Sequence, residues 1–237
     1  MTSLKFKRIL FKVSGEAMMG NQEFGHEAQA INKICQQIIL AHQLGCEIAI
    51  VIGGGNIFRG ISKSAQGIER VTADYMGMLA TCINGLALQS ALEKNGIDTR
   101  MLSAIHMNSI CEPYVKRRAV RHLEKGRVVI FSAGTGNPFF TTDTASVLRA
   151  VEMNCDVILK GTQVDGVYSA DPKIDKNATR YDKMTYLDVI KQDLRVMDQT
   201  AITLAKDNKL PIVVFSINGQ DSLQEVVKGN GKFTIIN

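Results

Sequence analysis

The stretch Glu47-Ile48-Ala49-Ile50-Val51-Ile52-Gly53-Gly54-Gly55-Asn56 decides the fold class. After Glu47 it is apolar through Ile52, and then it breaks into a triple glycine. A strand without polar alternation is buried on both faces, as in a parallel sheet covered by helices. The flanks agree. Upstream, residues 31–44 carry apolar side chains at 31, 34, 38 and 41, a helical period, and Gly45 suits a helix C-cap. Downstream, residues 71–94 read as a long helix followed by Asn95-Gly96. It is apolar on most sides, which predicts burial on more than one face.

Working outward, the alternation repeats. Strands are expected at 8–13, 99–103, 127–131, 156–159 and 212–215, with 234–236 as an edge strand. Helices are expected at 114–125, 144–152 and 199–208. This order predicts an α/β fold around a largely parallel sheet covered on both faces. No repeat, low-complexity tract or linker divides the chain, so residues 1–237 read as a single domain with two lobes around a cleft.

A chain of 237 residues and 26.0 kDa buries about 70% of its unfolded surface, without metal or disulfide staples. With 45% hydrophobic and 22% charged residues and a mean hydropathy of +0.01, it is an ordinary globular composition and excludes a disordered chain. No apolar run approaches the length of a membrane helix. The basic start (Lys5, Lys7, Arg8) leads into an apolar run at 9–11 that stops at Lys12, too short for a signal peptide. A cytoplasmic location is therefore expected. The net charge of +5 is spread out, and Lys116-Arg117-Arg118 with Arg121 reads as a solvated helical face. Without Trp or a basic stripe with interleaved aromatics, no nucleic-acid partner is expected. Five cysteines with no CxxC, and no His/Cys set at zinc spacing, read as reduced and mostly buried thiols.

Three expected strands run directly into unusual loops. They are Lys12-Val13-Ser14-Gly15-Glu16, then Gly53-Gly54-Gly55-Asn56 ending at Arg59-Gly60, then Gly134-Thr135-Gly136-Asn137-Pro138-Phe139-Phe140-Thr141-Thr142-Asp143. In open α/β sheets ligands bind beyond the carboxyl ends of the strands. Glycines let the backbone approach a ligand and leave N–H groups free for anionic oxygens. Lys12 and Arg59 add positive charge, and the third loop carries hydroxyls into a helix N-terminus. A phosphate-handling cleft is the natural reading. There is no GxxxxGK[ST] and no GxGxxG followed by an acidic residue at Rossmann spacing.

These motifs resemble the bacterial-type UMP kinases of the amino-acid-kinase family. The likeness extends to Asp74-Tyr75-Met76-Gly77-Met78-Leu79-Ala80-Thr81, and to Leu159-Lys160-Gly161-Thr162-Gln163-Val164-Asp165-Gly166-Val167-Tyr168 with Asp171-Pro172. It covers essentially the whole chain. Its most specific part is Gly134-Thr135-Gly136-Asn137-Pro138-Phe139-Phe140, which separates these kinases from relatives that phosphorylate carboxylates. The resemblance implies a three-layer αβα sandwich and transfer of the ATP γ-phosphoryl group to UMP, giving UDP in pyrimidine nucleotide biosynthesis. It also implies Mg²⁺ bound mainly through nucleotide phosphates, and a homohexamer. Residue by residue, it implies that Lys12, Val13, Ser14 and Gly15 meet the ATP phosphates, with Gly55 and Arg59 on the same side. Thr162, Tyr168 and Asp171 would hold the adenine and ribose end, with Gln163 beside them. UMP would lie against Gly54, Asp74 and Thr135, Gly136, Asn137, Pro138, Phe139, Phe140, Thr141 and Thr142. Gly20, Asn21, Gln22, Glu23, Phe24 and Gly25 match a GTP-responsive segment, and the resemblance carries feedback inhibition by UTP as well.

Phosphoryl transfer to an already ionised phosphate needs alignment and charge neutralisation, and no general base. His26, His42, His106 and His122 are accordingly read as surface or helix residues without a catalytic role. Lys12 is expected to stabilise the moving group, with Lys160 as a second cation; by likeness to relatives of this fold Asp143, at a helix start, orients both lysines, the alternative being a carboxylate that only complements the helix dipole. Asp74 is expected in the first turn of the long helix, either complementing its dipole or, by the family match, accepting from the UMP ribose hydroxyls. Two rival readings share the fold: a kinase with a carboxylate or carbamate acceptor, and a non-catalytic nucleotide- or oxyanion-binding protein.

Overall fold

A computed structural model describes residues 4–58, 67–172, 174–194, 196–219 and 222–237. The first half of the chain runs β1 (Arg8–Val13), α1 (Glu16–Met19), α2 (Ala28–Gln43), β2 (Glu47–Ile52), α3 (Arg70–Lys94), β3 (Thr99–Ser103), β4 (Glu112–Pro113), α4 (Lys116–Glu124) and β5 (Val128–Ser132). The second runs α5 (Thr142–Glu152), β6 (Val157–Thr162), β7 (Val167–Tyr168), β8 (Arg180–Tyr181), β9 (Lys183–Met184), α6 (Tyr186–Lys191), α7 (Gln199–Asp207), β10 (Ile212–Ser216), α8 (Ser222–Lys228) and β11 (Phe233–Ile236). Nine strands form one sheet in the order β4-β3-β5-β2-β1-β6-β10-β11-β9. Every pairing in it is parallel except β10 with β11.

The apolar strands explain the layers. Ile48, Ile50 and Ile52 share one core with Ile34 and Ile38 of α2, Leu88 and Leu92 of α3, and Leu223 and Val226 of α8. Ala49 and Val51, on the opposite face of β2, share a second core with Leu123 of α4, Val147 and Ala150 of α5, and Ile202 of α7. Helices thus cover both faces of a mostly parallel sheet, and the fold is the expected three-layer αβα sandwich. Because the central strands are parallel, β1, β2, β5 and β6 all end on the same side, and the three loops read from the sequence gather there.

Two expectations about elements are corrected. The C-terminal strand is not at an edge: β11 runs antiparallel to β10 and is covered on its other side by β9. The real edges are two-residue strands, β4 ending in Pro113 and β9 beginning at the exposed Lys183. Asp74 is not in the first turn of α3, because the helix starts at Arg70 and its first turn holds no acidic residue. The dipole has weakened by the second turn, so it does not account for Asp74.

The long helix α3 is buried along Ala73, Ala80, Leu88 and Leu92, while Tyr75, Met76, Leu79, Ile83 and Leu86 form an exposed apolar stripe on its outer side. Gly85 does not open that outer side. A Cβ built on it would lie 2.5 Å from Met101 Sδ, so it lets the helix approach its own sheet. All five cysteines are free. Burial pushes the Cys35 thiol up to about 11 and the Cys46 thiol up to about 12, so both stay protonated. Among the described residues no helix is long and apolar enough to cross a membrane.

Leu88 tests this packing. It is fully buried between α3 and the sheet, so Leu88→Ala should lower the unfolding free energy by about 2–5 kcal/mol in urea titrations. A loss below about 1 kcal/mol would mean that α3 does not seat on the sheet as described.

Candidate active site

Lys12 of β1 and Lys160 of β6 are direct Cα partners. The residues before them, Phe11 and Leu159, face the α2–α3 core, so strand alternation sends both lysines to the face covered by α5. Two ammonium groups in this position repel each other. Asp143, the second residue of α5, stands between them: Oδ1 lies 2.7 Å from Lys12 Nζ and Oδ2 3.1 Å from Lys160 Nζ. Lys160 also donates to the Val196 carbonyl. Burial alone would raise the Asp143 carboxyl, but Lys12 and Lys160 outweigh it and hold the group below the usual carboxylate range. Burial pulls Lys160 below the ordinary lysine range, Lys12 adds to this, and Asp143 and Asp198 oppose it.

The N-terminus of α5 is tied down beside this triad. Thr141 caps the helix, its side chain accepting from Asp143 N at 3.0 Å and Thr144 N at 3.4 Å. The Thr141 hydroxyl donates to Asp198, and the Thr144 hydroxyl reaches both Asp198 oxygens at 3.0 Å. Asp198 in turn caps α7 by accepting from Ala201 N at 2.8 Å. Two helix starts therefore converge next to the lysines, each capped by its own side chain.

The triple glycine packs tightly from two sides. A Cβ on Gly15 would lie 2.4 Å from Asn56 Oδ1 and 2.8 Å from Gly53 O, and one on Gly54 would lie 2.8 Å from Gly77 O of α3. Only glycine allows these approaches. A buried amide pair anchors the loop. Asn84 of α3 donates through Nδ2 to Gly53 O at 2.6 Å and to Asn56 Oδ1 at 2.7 Å. Its Oδ1 accepts from Asn56 Nδ2 at 3.1 Å and from His26 Nε2 at 2.6 Å. Asn84 is fully buried with its hydrogen-bonding capacity used, which is how a polar side chain survives inside an apolar helix.

Besides a cavity of about 350 Å³ lined by Asp143, Lys160 and Asp198, two larger ones lie near the triad. One, of about 430 Å³, is lined by Gly54, Gly55, Phe58, Asp74, Gly77, Thr81, Gly134, Thr135, Phe140, Thr141 and Thr142. The other, of about 680 Å³, is lined by Lys160, Thr162, Tyr168, Asp171, Pro172, Leu194 and Val196, among others. Of the expected residues, Gly54, Asp74, Thr135, Phe140, Thr141 and Thr142 line the first, and Lys160, Thr162, Tyr168 and Asp171 the second; Lys12, Val13, Ser14, Gly15 and Asp143 line neither, and Gly55, expected on the ATP side, lies in the first instead. Gly136, Asn137, Pro138 and Phe139 do not line the first: Asn137 is bound back to Thr135 and the Phe139 ring is 66% exposed. Gln163 points away from the second cavity, accepting from Asn218 Nδ2 at 2.8 Å. Ser14 Oγ accepts from Ala17 N at 3.3 Å, at the start of α1. Arg59 lies outside the described residues. Glycines 20 and 25 and the residues between form an exposed turn, with Gly25 N donating to Asn56 O at 2.9 Å. Among the described residues, no three His, Cys, Asp or Glu side chains come together to hold a metal ion.

Known proteins bear on this arrangement. The model of the amino acid kinase family matches residues 7–216. The chain belongs to the amino acid kinase family. Within it, the chain is 58% identical over 235 residues to a protein of Wolbachia pipientis wMel called uridylate kinase, covering 99% of this chain and 95% of that one. It is 58% identical over 232 residues to the uridylate kinase of Paramagnetospirillum magneticum, covering 98% and 97%. Among solved amino acid kinase structures it is similar to UMP kinase from Bacillus anthracis, with TM-score 0.94, 43% identity, and coverage of 98% and 96%. A uridylate kinase from Archaeoglobus fulgidus is more distant, with TM-score 0.74 and 28% identity over 97% and 99%.

For a member of the amino acid kinase family, the sequence reading missed several residues that build this site: Asn56, Thr81, Asn84, Asp198 and Arg70. Thr81 Oγ1 accepts from Ala133 N at 2.8 Å and anchors the third loop to α3. Polar Thr81 and Asn84 in an apolar helix were the one signal available. Asp198 lies far from the loops in sequence and gives none.

Asp143→Asn should leave two buried ammonium groups without their counter-charge and cost about 3–5 kcal/mol of stability near neutral pH. Adding Lys160→Met should recover part of that loss. Asp143 has a folded pKa below its unfolded one, so its contribution is complete above the ordinary carboxylate pKa of about 3.9 and is lost as pH falls through the folded value. The difference between wild type and Asp143→Asn should therefore stay level from about pH 8 to about pH 5 and shrink below about pH 4 in thermal scans. A difference that already shrinks between pH 7 and pH 5 would contradict the depressed carboxyl.

Proposed function

We propose that this chain transfers the γ-phosphoryl group of ATP to the phosphate of UMP, giving UDP, a step of pyrimidine nucleotide biosynthesis. Near full-length likeness to proteins called uridylate kinase and UMP kinase supports the choice of acceptor. The observation that carries the chemistry is the lysine pair around Asp143, of which Lys160 lines the larger cavity. Thr142 lines the smaller cavity, and the next residue, Asp143, stands between the lysines.

In this reading ATP occupies the larger cavity, its adenine and ribose against Thr162, Tyr168 and Asp171. UMP occupies the smaller one, its ribose against Asp74. Lys12 and Lys160 neutralise the phosphoryl group as it moves, Asp143 holds their ammonium groups in place, and the Gly54–Gly55 backbone approaches the phosphates. Both Asp143 oxygens face ammonium groups, which fits Mg²⁺ held by phosphate oxygens and water, and it would supply further charge neutralisation when bound with ATP. Regulation by GTP through residues 20–25 and by UTP belongs to the same proposal. The Gly25–Asn56 hydrogen bond gives that segment a short route to the glycine loop. A cytoplasmic location is part of the proposal too.

An acceptor screen tests the reaction. ADP release should require UMP, with aspartate, acetylglutamate and carbamate inactive. Lys12→Ala should lower kcat about 100-fold or more, as for loss of one transition-state contact, with ATP affinity changed less. Release with a carboxylate and none with UMP would replace the proposed acceptor, and an unchanged kcat would remove Lys12 from the mechanism.

Assembly as a homohexamer completes the proposal, supported by the exposed apolar stripe on α3. Leu79, 48% exposed, is central to it, so Leu79→Glu should lower the mass in light scattering toward smaller species. Wild-type protein near 26.0 kDa at micromolar concentration would contradict assembly altogether.

A further inference from the structure

Arg70 stands where a helix prefers a carboxylate. It is the first residue of α3, and a cation there opposes the helix dipole. The helix dipole therefore does not explain it. Its contacts do. Nε donates to both Asp74 oxygens at 2.9 Å, one turn further on. Its guanidinium lies 5.7 Å from the centre of the Phe139 ring, within reach of a cation–π contact. Asp74 Oδ2 also accepts from the Phe139 backbone N–H at 2.8 Å. Arg70 thus holds the carboxylate that grips the loop and the ring of the residue that is gripped.

Phe139 needs such a hold. Its φ is +69°, in the left-handed region that aromatic residues rarely adopt. Its ring is 66% exposed, so core packing does not keep it there. Ala133, at the other end of the same loop, has φ +60° but is fully buried and is bound by Thr81. One end of the loop is fixed by the core, and the other is fixed by Arg70 and Asp74.

We propose that Arg70 is a positioning residue for the acceptor: by holding Asp74 and Phe139 together it sets the loop from Gly134 to Thr142 over the smaller cavity. This rests on the reading of that cavity as the UMP site. A carboxylate has about four acceptor positions, so Asp74 keeps capacity for ribose hydroxyls while both contacts persist. Arg70 aims that capacity at the cavity and leaves the lysine pair untouched.

The test is a set of titrations on wild type, Arg70→Ala, Arg70→Lys, Asp74→Ala and the Arg70→Ala/Asp74→Ala double variant. Arg70→Ala should raise KM for UMP about 10-fold, in the range for lost hydrogen bonds to a charged group, with KM for ATP changed less than about 2-fold. Arg70→Lys should recover little, because an ammonium cannot hold the carboxylate in a two-point contact and reach the ring together. The double variant should be no worse than Asp74→Ala alone, since Arg70 acts through Asp74. Chymotrypsin should cut after Phe139 or Phe140 faster in Arg70→Ala, with saturating UMP restoring protection; this readout does not depend on catalysis. A raised UMP KM in Asp74→Ala with no change in Arg70→Ala, in KM or in cleavage, would overturn the proposal. So would additive effects in the double variant, which would mean that Arg70 meets UMP itself. An unchanged UMP KM in both single variants would instead overturn the assignment of the cavity to UMP.

Discussion

Lys12 and Lys160 stand opposite each other on two central parallel strands, and the sheet alone cannot tolerate that pair. One carboxylate, Asp143, resolves it. Much follows from this arrangement. It fixes the start of α5 over the carboxyl ends of β1 and β6. It requires Thr141 and Asp198 to secure that start, because a shift of α5 would part the carboxylate from both ammonium groups. The result is a fixed pair of positive charges with water largely excluded, where each is worth more to a moving anion than it would be in solution.

The second organiser is α3, which does polar work on an apolar helix. Thr81 holds the start of the third loop, Asn84 holds the triple glycine, and Asp74 holds Phe139. These side chains lie along one face toward the site, Asp74 and Thr81 two turns apart and Asn84 one turn further on, while the apolar stripe from Tyr75 to Leu86 lies on the outer side. A single rigid element therefore sets the relative positions of two loops that are 80 residues apart in sequence, as from Gly54 to Gly134. Anything that packs on the outer stripe acts on the same helix.

The layers were legible because burial on both faces leaves long apolar runs. Arg8–Val13, Glu47–Ile52 and Thr99–Ser103 were read with the bounds they have in the fold. Two-residue strands such as Val167–Tyr168 and Lys183–Met184 are too short to show any alternation, and their existence depends on the neighbours they meet. The edge placement of the last strand failed for the same reason, since β9 is what covers it. In the site, the glycine loops and their lysines were legible because close backbone approach demands glycine. His26 was read as a surface or helix residue, yet it lies outside any helix, half-buried against Asn84. Its partner is 58 residues away, and such pairings leave no mark on local pattern.

The blunt ends of the sheet have their own meaning. On one side the outermost strand is two residues long and finishes in Pro113, which has no N–H to offer. On the other it is two residues long and opens with the exposed Lys183. Neither rim gives a foreign strand a ladder to climb. Among the described residues, the sheet edges thus steer copies of this chain away from joining sheet to sheet, the route that leads to fibrils.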